Sequence, residues 1–226
     1  MNLPNKLTVV RICMIPLFLV AYFLPFNWAS LSAVTIFILA AFTDFLDGYI
    51  ARKNNLVTDL GKFLDPIADK ILVAAAFICV VATNPLQWYD ALSVSSPIHS
   101  QVFGMIFLPC CCALIFAREF AVDALRMVAS SKGIVVQANV FGKIKTVLQD
   151  VSLAVLILLN SGYYQAEMLQ QISFRSAETG LAYRVMWIVA VVLLSLATLA
   201  SVVSGIIYLV QNKGVFAAKN SEGSAQ

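Results

Sequence analysis

The amino-acid sequence predicts an all-α integral membrane protein of six transmembrane helices with both termini in the cytoplasm. Three observations carry this. Of 226 residues, 61% are hydrophobic and only 12% are charged, about half the charged share of a soluble domain. The apolar residues fall into six stretches near the ~20 residues that a helix needs to cross a bilayer. Thirteen of the fifteen Lys and Arg residues lie at the N-terminus, at the junctions of spans two with three and four with five, or at the C-terminus. Only Arg175 and Arg184 fall on the opposite side, and Lys and Arg gather on the cytoplasmic face.

Span one is expected over 8–26, with Lys6 before it and Arg11 and Pro16 inside it. Lys6 and Arg11 ahead of an apolar run also fit a signal peptide, but five further spans and no small-x-small cleavage site favour an uncleaved helix. Pro25-Phe26-Asn27 ends this span, and span two comes next over 30–51. Span three, 66–84, stops at Asn84-Pro85, and the polar run Ser93 to Ser100 leads into span four, 101–128. Pro109 inside span four, like Pro16, is a kink position. Ser131-Lys132-Gly133 separates span four from span five, 141–162, which ends at Ser161-Gly162. Span six covers 183–210. Residues 1–212 therefore read as one domain without internal repeats, and 213–226 as a polar, disordered tail rich in Gly, Ser and Ala.

The five cysteines, Cys13, Cys79, Cys110, Cys111 and Cys112, lie in apolar segments without zinc-ligand spacing and read as buried filler. His99 is the single histidine and stands in a polar loop, a poor place for a histidine-based mechanism. The net charge of +3 comes without a basic stripe interleaved with aromatics, which argues against nucleic-acid binding.

The chemistry concentrates at the junction of spans two and three, in Asp44-x2-Asp47-Gly48-x2-Ala51-Arg52-x8-Gly61-x3-Asp65-x3-Asp69. Asp44, Asp47 and Ala51 are spaced to share one helix face, as are Asp65 and Asp69. Gly48 and Ala51 leave that face open to a ligand, and Gly61 does the same on the opposing turn. Carboxylates near a bilayer are functional by default, and four that converge need cations to remain ionised. Oxygen donors without His or Cys favour Mg²⁺ or Mn²⁺, and two such ions match four carboxylates in charge. Two metals about 3.5–4 Å apart clamp a diphosphate for in-line displacement. Arg52 at the rim offers a donor fork suited to phosphate.

The pattern resembles the signature of the CDP-alcohol phosphatidyltransferase family at every fixed position. The resemblance implies that family's six-helix membrane fold, its dependence on two divalent cations, Mg²⁺ or Mn²⁺, and a homodimer. It implies displacement of CMP from a CDP-linked lipid by an alcohol. It assigns Asp44, Asp47 and Asp65 as metal ligands, and Asp69 as a metal-side residue that also serves as general base. Asp47, Gly48, Ala51, Arg52 and Gly61 become the CDP-contacting set.

The acceptor alcohol must be read elsewhere. Asn5-Lys6-Leu7-Thr8-x2-Arg11 sets an amide, a hydroxyl and a guanidinium at the start of span one; Asn5 and Thr8 serve equally as helix caps or site residues. Arg11, one turn into an apolar helix, needs an anionic partner. Arg126 and Lys132 fit a positive-inside flank in contact with lipid head groups. Arg118, beside Glu119 and Asp123, should face the bundle interior, and Lys143 and Lys145 add cations at its depth. Such a pocket suits an acceptor that already carries phosphate.

These segments resemble the phosphatidylglycerophosphate synthase branch of the family, from about residue 3 to 160; the chain beyond Gly162 reads as generic. The branch implies transfer of the phosphatidyl group of CDP-diacylglycerol to sn-glycerol 3-phosphate, at the cytoplasmic face of the cell membrane. Inositol phosphate, serine and phosphatidylglycerol remain alternative acceptors. A divalent-cation transporter is the reading from another class. Carboxylates confined to one membrane face, without a polar path across, argue against it.

Overall fold

Six α-helices build the described residues, which contain no strand: α1 Leu3–Phe23, α2 Ala29–Lys53, α3 Asp59–Thr83, α4 Pro97–Ser131, α5 Val140–Met168 and α6 Ala177–Gln211. The computed structural model describes residues 3–24, 29–53, 59–84, 86, 97–131, 140–168 and 177–212. Side chains are described at 6–24, 29, 31–44, 46, 64, 67–84, 86, 105–130, 142, 144–160 and 185–212. The polar tail expected over 213–226 lies outside the described residues, as do residues 93–96 of the expected Ser93–Ser100 linker, whose last four residues belong to α4.

The helix ends follow from local chemistry. α1 starts at Leu3, five residues before the apolar stretch, because Pro4 in a first turn lacks only an N–H that has no helical partner anyway. It stops at Phe23, where the Leu24 N–H closes the last turn on the Val20 carbonyl at 3.0 Å. Pro25 comes next, and the residue before a proline is pushed out of helical geometry. α3 stops at Asn84, whose φ of 42° is left-handed and whose N–H donates to the Val80 carbonyl at 2.8 Å. That is an αL cap with proline behind it, and the Asn-Pro pair announces it.

Several expected boundaries move. α4 begins at Pro97, so His99 stands in its first turn and not in a polar loop, and α6 begins at Ala177. Ser161-Gly162 stands within α5, which runs on to Met168; one helical glycine costs only about 1 kcal/mol, which a long hydrogen-bonded helix absorbs. α3 begins at Asp59, so Gly61 sits in its first turn and not on a turn before it. Helical hydrogen bonding continues into polar residues beyond the apolar stretch.

Side-chain contacts fix the helix directions. Arg11 meets Asp44, and Phe18 meets Phe37 at 6.1 Å between ring centroids, so α1 and α2 run antiparallel. Lys70 pairs with Asp123, and the Phe77 and Phe116 rings stand 5.5 Å apart edge to face, so α3 and α4 are antiparallel too. The Tyr22 and Thr83 hydroxyls share a hydrogen bond of 2.7 Å, tying the last turns of α1 and α3 together. Near them, Trp187 of α6 donates from Nε1 to the Leu86 carbonyl at 3.1 Å. Arg118 with Ser204 and Arg126 with Tyr208 make α4 and α6 parallel. The result is an up-and-down bundle. One end gathers the start of α1, α3 and α5 and the finish of α2, α4 and α6.

Phe18, Phe37, Leu72, Phe77, Leu108, Ile115, Leu153 and Leu156 are buried along the bundle axis. The outer surface is apolar as well: Leu17, Ile38, Phe42, Ile78, Leu114, Leu199 and Ile206 are exposed. Helices that are hydrophobic on every side suit a bilayer. Among the described residues, Lys6–Phe23, Met105–Ser130 and Val185–Gln211 are long and apolar enough to cross one; the 18 residues of the first span about 27 Å. Leu31–Asp44 is a shorter apolar stretch. Charges within α3 and α5 shorten their uncharged runs, which begin after Lys70 and Asp150. Cys79, Cys111 and Cys112 are buried filler as expected, whereas Cys13 and Cys110 face outward. A small polarizable thiol is tolerated on a face that is apolar on its outside.

Candidate active site

Helix α2 persists through Lys53 and α3 begins at Asp59, so both halves of the aspartate pattern stand on helix. Asp44, Asp47 and Ala51 share one face of α2, and Asp65 and Asp69 one face of α3. The side chains of Asn5, Asp47, Ala51, Arg52, Asp65 and Lys143 lie outside the described residues, as do the surroundings of Gly48 and Gly61.

Asp44 is met from α1 by Arg11, with Nη1 2.7 Å from Oδ1. The arginine is 0% exposed and the carboxylate 42%, so Asp44 neutralises a buried charge while keeping an open side. Asp44 is the anionic partner that Arg11 requires. Thr8, one turn earlier on the same face, is fully buried. It lies in the second turn of α1, past the position of a cap, because the helix begins at Leu3.

Asp69 is half-buried on α3, within electrostatic reach of Asp44, Arg11, Glu119 and Lys145. Asp150 on α5 lies within reach of Asp69, Asp44, Lys145 and Glu119. Lys145 is buried and hydrogen-bonded to Glu119, which joins α5 to α4. Gln149 beside it is 2% exposed, and its Oε1 has no hydrogen-bond partner among the described residues. Arg118 donates from Nη2 to the Ser204 hydroxyl at 2.8 Å and stands within electrostatic reach of Lys145. Arg126 turns to α6, where Nε donates to the Tyr208 hydroxyl at 2.9 Å and the guanidinium lies 5.3 Å from the ring centroid. The expectation that it only flanks the membrane misses this contact, whose partner is 82 residues away.

A carboxylate group from α2, α3, α4 and α5 thus faces cations from α1, α4 and α5. Such an end can hold a phosphate-bearing molecule against acidic residues. Beside it, a cavity of about 250 Å³ between α3 and α4 is lined by Lys70, Ile71, Ala74, Phe116, Glu119 and Phe120. Among the described residues, no three His, Cys, Asp or Glu side chains are grouped to hold a metal ion.

The CDP-alcohol phosphatidyltransferase family model matches residues 1–211. The chain belongs to this family. It is similar to the CDP-diacylglycerol–glycerol-3-phosphate 3-phosphatidyltransferase of Bacillus subtilis (strain 168), 40% identical over 171 residues, or 70% of this chain and 78% of the relative. A protein of the same name from Sodalis glossinidius (strain morsitans) is 39% identical over 159 residues, 70% of this chain and 77% of its own length. Another, from Rickettsia bellii (strain RML369-C), is 37% identical over 161 residues, covering 71% and 77%.

Packing draws attention to residues that the sequence left unassigned. Asp150 lies after the apolar-polar start of α5 without a motif of its own, and only packing sets it beside Asp69. Ser204, Gly205 and Tyr208 lie in the part of the chain that reads as generic. The usable signal there was Ser201-x2-Ser204-Gly205-x2-Tyr208, small and polar residues on one face of an apolar helix.

Proposed function

We propose that this chain transfers the phosphatidyl group of CDP-diacylglycerol to sn-glycerol 3-phosphate, releasing phosphatidylglycerophosphate and CMP. The observation that carries the proposal is the charged end of the bundle, where Asp44 and Asp69 stand with Arg118 and Lys145 in one electrostatic group. The names of the relatives support the same donor and acceptor.

Residues 1–212 form the catalytic domain, with six spans, both termini and the acidic end in the cytoplasm, and 213–226 a polar tail. The protein sits in the cell membrane as a homodimer. The apolar cavity between α3 and α4 supports lateral entry of a lipid chain, with the diphosphate left at the acidic end. Asp47, Gly48, Ala51, Arg52 and Gly61 contact the CDP moiety.

The donor chemistry fits hard dications, since carboxylates predominate and neither His nor Cys is among the site residues. Asp44, Asp47, Asp65 and Asp69 would hold two of them, Mg²⁺ or Mn²⁺. Bound there, they supply charge neutralisation for the diphosphate and its leaving oxygen. Arg118, Lys143 and Lys145 bind the acceptor's phosphate, and Asn5, Thr8 and Arg11 support the site from α1. Asp69 takes the proton from the acceptor hydroxyl. The freed oxygen bonds to the phosphorus that carries diacylglycerol, the bond from that phosphorus to the CMP oxygen breaks, and Arg52 receives the CMP charge. No covalent nucleophile is needed, so one displacement suffices.

Acceptor kinetics at saturating CDP-diacylglycerol test the pocket. A charge-assisted hydrogen bond contributes about 1.5–3 kcal/mol, so Arg118→Ala should lower kcat/KM for glycerol 3-phosphate roughly ten- to a hundredfold. Arg118→Lys should recover part of it, because lysine lacks the donor fork. A loss of lipid-substrate affinity with unchanged acceptor response would refute the assignment.

A further inference from the structure

We infer that α6 is the positioning element for the acceptor site, with Gly205 and Ser204 together fixing where the Arg118 guanidinium points; this rests on the acceptor-pocket reading above. A Cβ built on Gly205 would lie 2.6 Å from Cγ of Arg118 and 3.7 Å from its Cβ and Cδ. Contact at 2.6 Å is closer than carbon atoms approach, so a side chain at 205 displaces the arginine stem. The clash falls near the root of the side chain, not at its flexible tip. Clearing it needs a change of χ1, and a helix leaves arginine few χ1 choices. Any such change carries the guanidinium off its present bearing.

Ser204 sets the other coordinate. Its hydroxyl accepts from Nη2 of Arg118 at 2.8 Å, which uses one of five N–H donors and leaves the fork for an anion. Among the described residues, Nε of Arg118 has no hydrogen-bond partner. One turn beyond Ser204, Tyr208 holds Arg126, a like charge within electrostatic reach of Arg118. The stem is thus seated against a bare stretch of α6 backbone, one donor is anchored, and the competing cation is tied down. A segment without a motif thereby tunes the acceptor site on another helix.

The test is a double-substitution cycle read in steady-state kinetics and thermal unfolding of the purified full chain. Gly205→Ala should raise KM for glycerol 3-phosphate about tenfold, the low end for losing one charge-assisted contact. KM for CDP-diacylglycerol and the unfolding temperature should stay at their wild-type values. In an Arg118→Ala background, where the clashing Cγ is gone, Gly205→Ala should add no more than about twofold. Ser204→Ala gives a second probe that introduces no clash, and Ser204→Thr, which keeps the hydroxyl, should restore the acceptor KM. Additive losses in the cycle, an unchanged acceptor KM in Gly205→Ala, or equal losses for both substrates would each overturn the inference. If Arg118→Ala itself leaves the acceptor KM unchanged, the acceptor pocket falls and the positioning role falls with it. If only the Gly205 and Ser204 variants are silent, the pocket stands and the role of α6 alone is refuted.

Discussion

Arg11 is fully buried against a carboxylate that keeps 42% of its surface open, which gives Asp44 a structural task beside the chemical one proposed for it. The two separate by substitution. Asp44→Asn retains an oxygen that can accept from Arg11, so activity should vanish with little change in unfolding temperature. Asp44→Ala leaves the guanidinium without that oxygen and should also destabilise, by less than the roughly 1.5–3 kcal/mol of a hydrogen bond to a charged group, because Asp44 is partly solvated. Equal unfolding temperatures for the two variants would contradict the structural task. For Asp69→Asn, loss of a general base predicts turnover down roughly 10²–10⁴ with CDP-diacylglycerol still bound. Equilibrium binding of the lipid substrate checks this, and loss of binding would recast Asp69 as chiefly a metal ligand. The aspartate pattern is readable because its spacing is local, within two helix ends, while the side chains of Asp47 and Asp65 lie outside the described residues. The need of Arg11 for an anion was legible as well, but its identity was not: 33 residues separate it from Asp44, and only packing of α1 on α2 joins them. Glu119 was visible beside Arg118, yet its bond to Lys145 across two helices was not.

At the scale of the element, the apolar stretches located all six helices, while their ends were set by chemistry that hydropathy does not register. Pro25 and Asn84-Pro85 were readable stops, since proline and left-handed asparagine act locally. The extension of α3 back to Asp59 and of α5 on to Met168 was not, because helical hydrogen bonds persist through polar residues. The Asn84 cap yields a prediction that is independent of catalysis. With φ at 42°, Asn84→Gly should be near neutral, whereas Asn84→Ala should destabilise by about 1–2 kcal/mol, the left-handed penalty of a residue with Cβ. Thermal unfolding in one detergent compares them, and an alanine variant as stable as glycine would refute the cap. Helix α6 is the element on which the sequence was least informative. Its small and polar face matters only opposite Arg118 and Arg126, and those partners belong to α4.

For the whole molecule, the charged groups that pair among the described residues collect at one end of an antiparallel bundle. The Tyr22–Thr83 contact and Trp187 mark the other end. The Lys and Arg distribution foretold this polarity, because helices alternate in direction and charges avoid the apolar middle. It could not foretell that Asp150 would join the acidic group, since that depends on how α5 leans against α3. In the proposed reading, this end meets the lipid's polar head and the apolar outer surface faces the acyl region. The most direct measurement is CMP release by the purified protein in mixed micelles of CDP-diacylglycerol, with glycerol 3-phosphate, inositol phosphate, serine and phosphatidylglycerol offered separately. The account predicts CMP formed in step with phosphatidylglycerophosphate, with glycerol 3-phosphate only, abolished by a chelator and restored by Mg²⁺ or Mn²⁺. CMP release with another acceptor instead, or full activity in excess chelator, would contradict it.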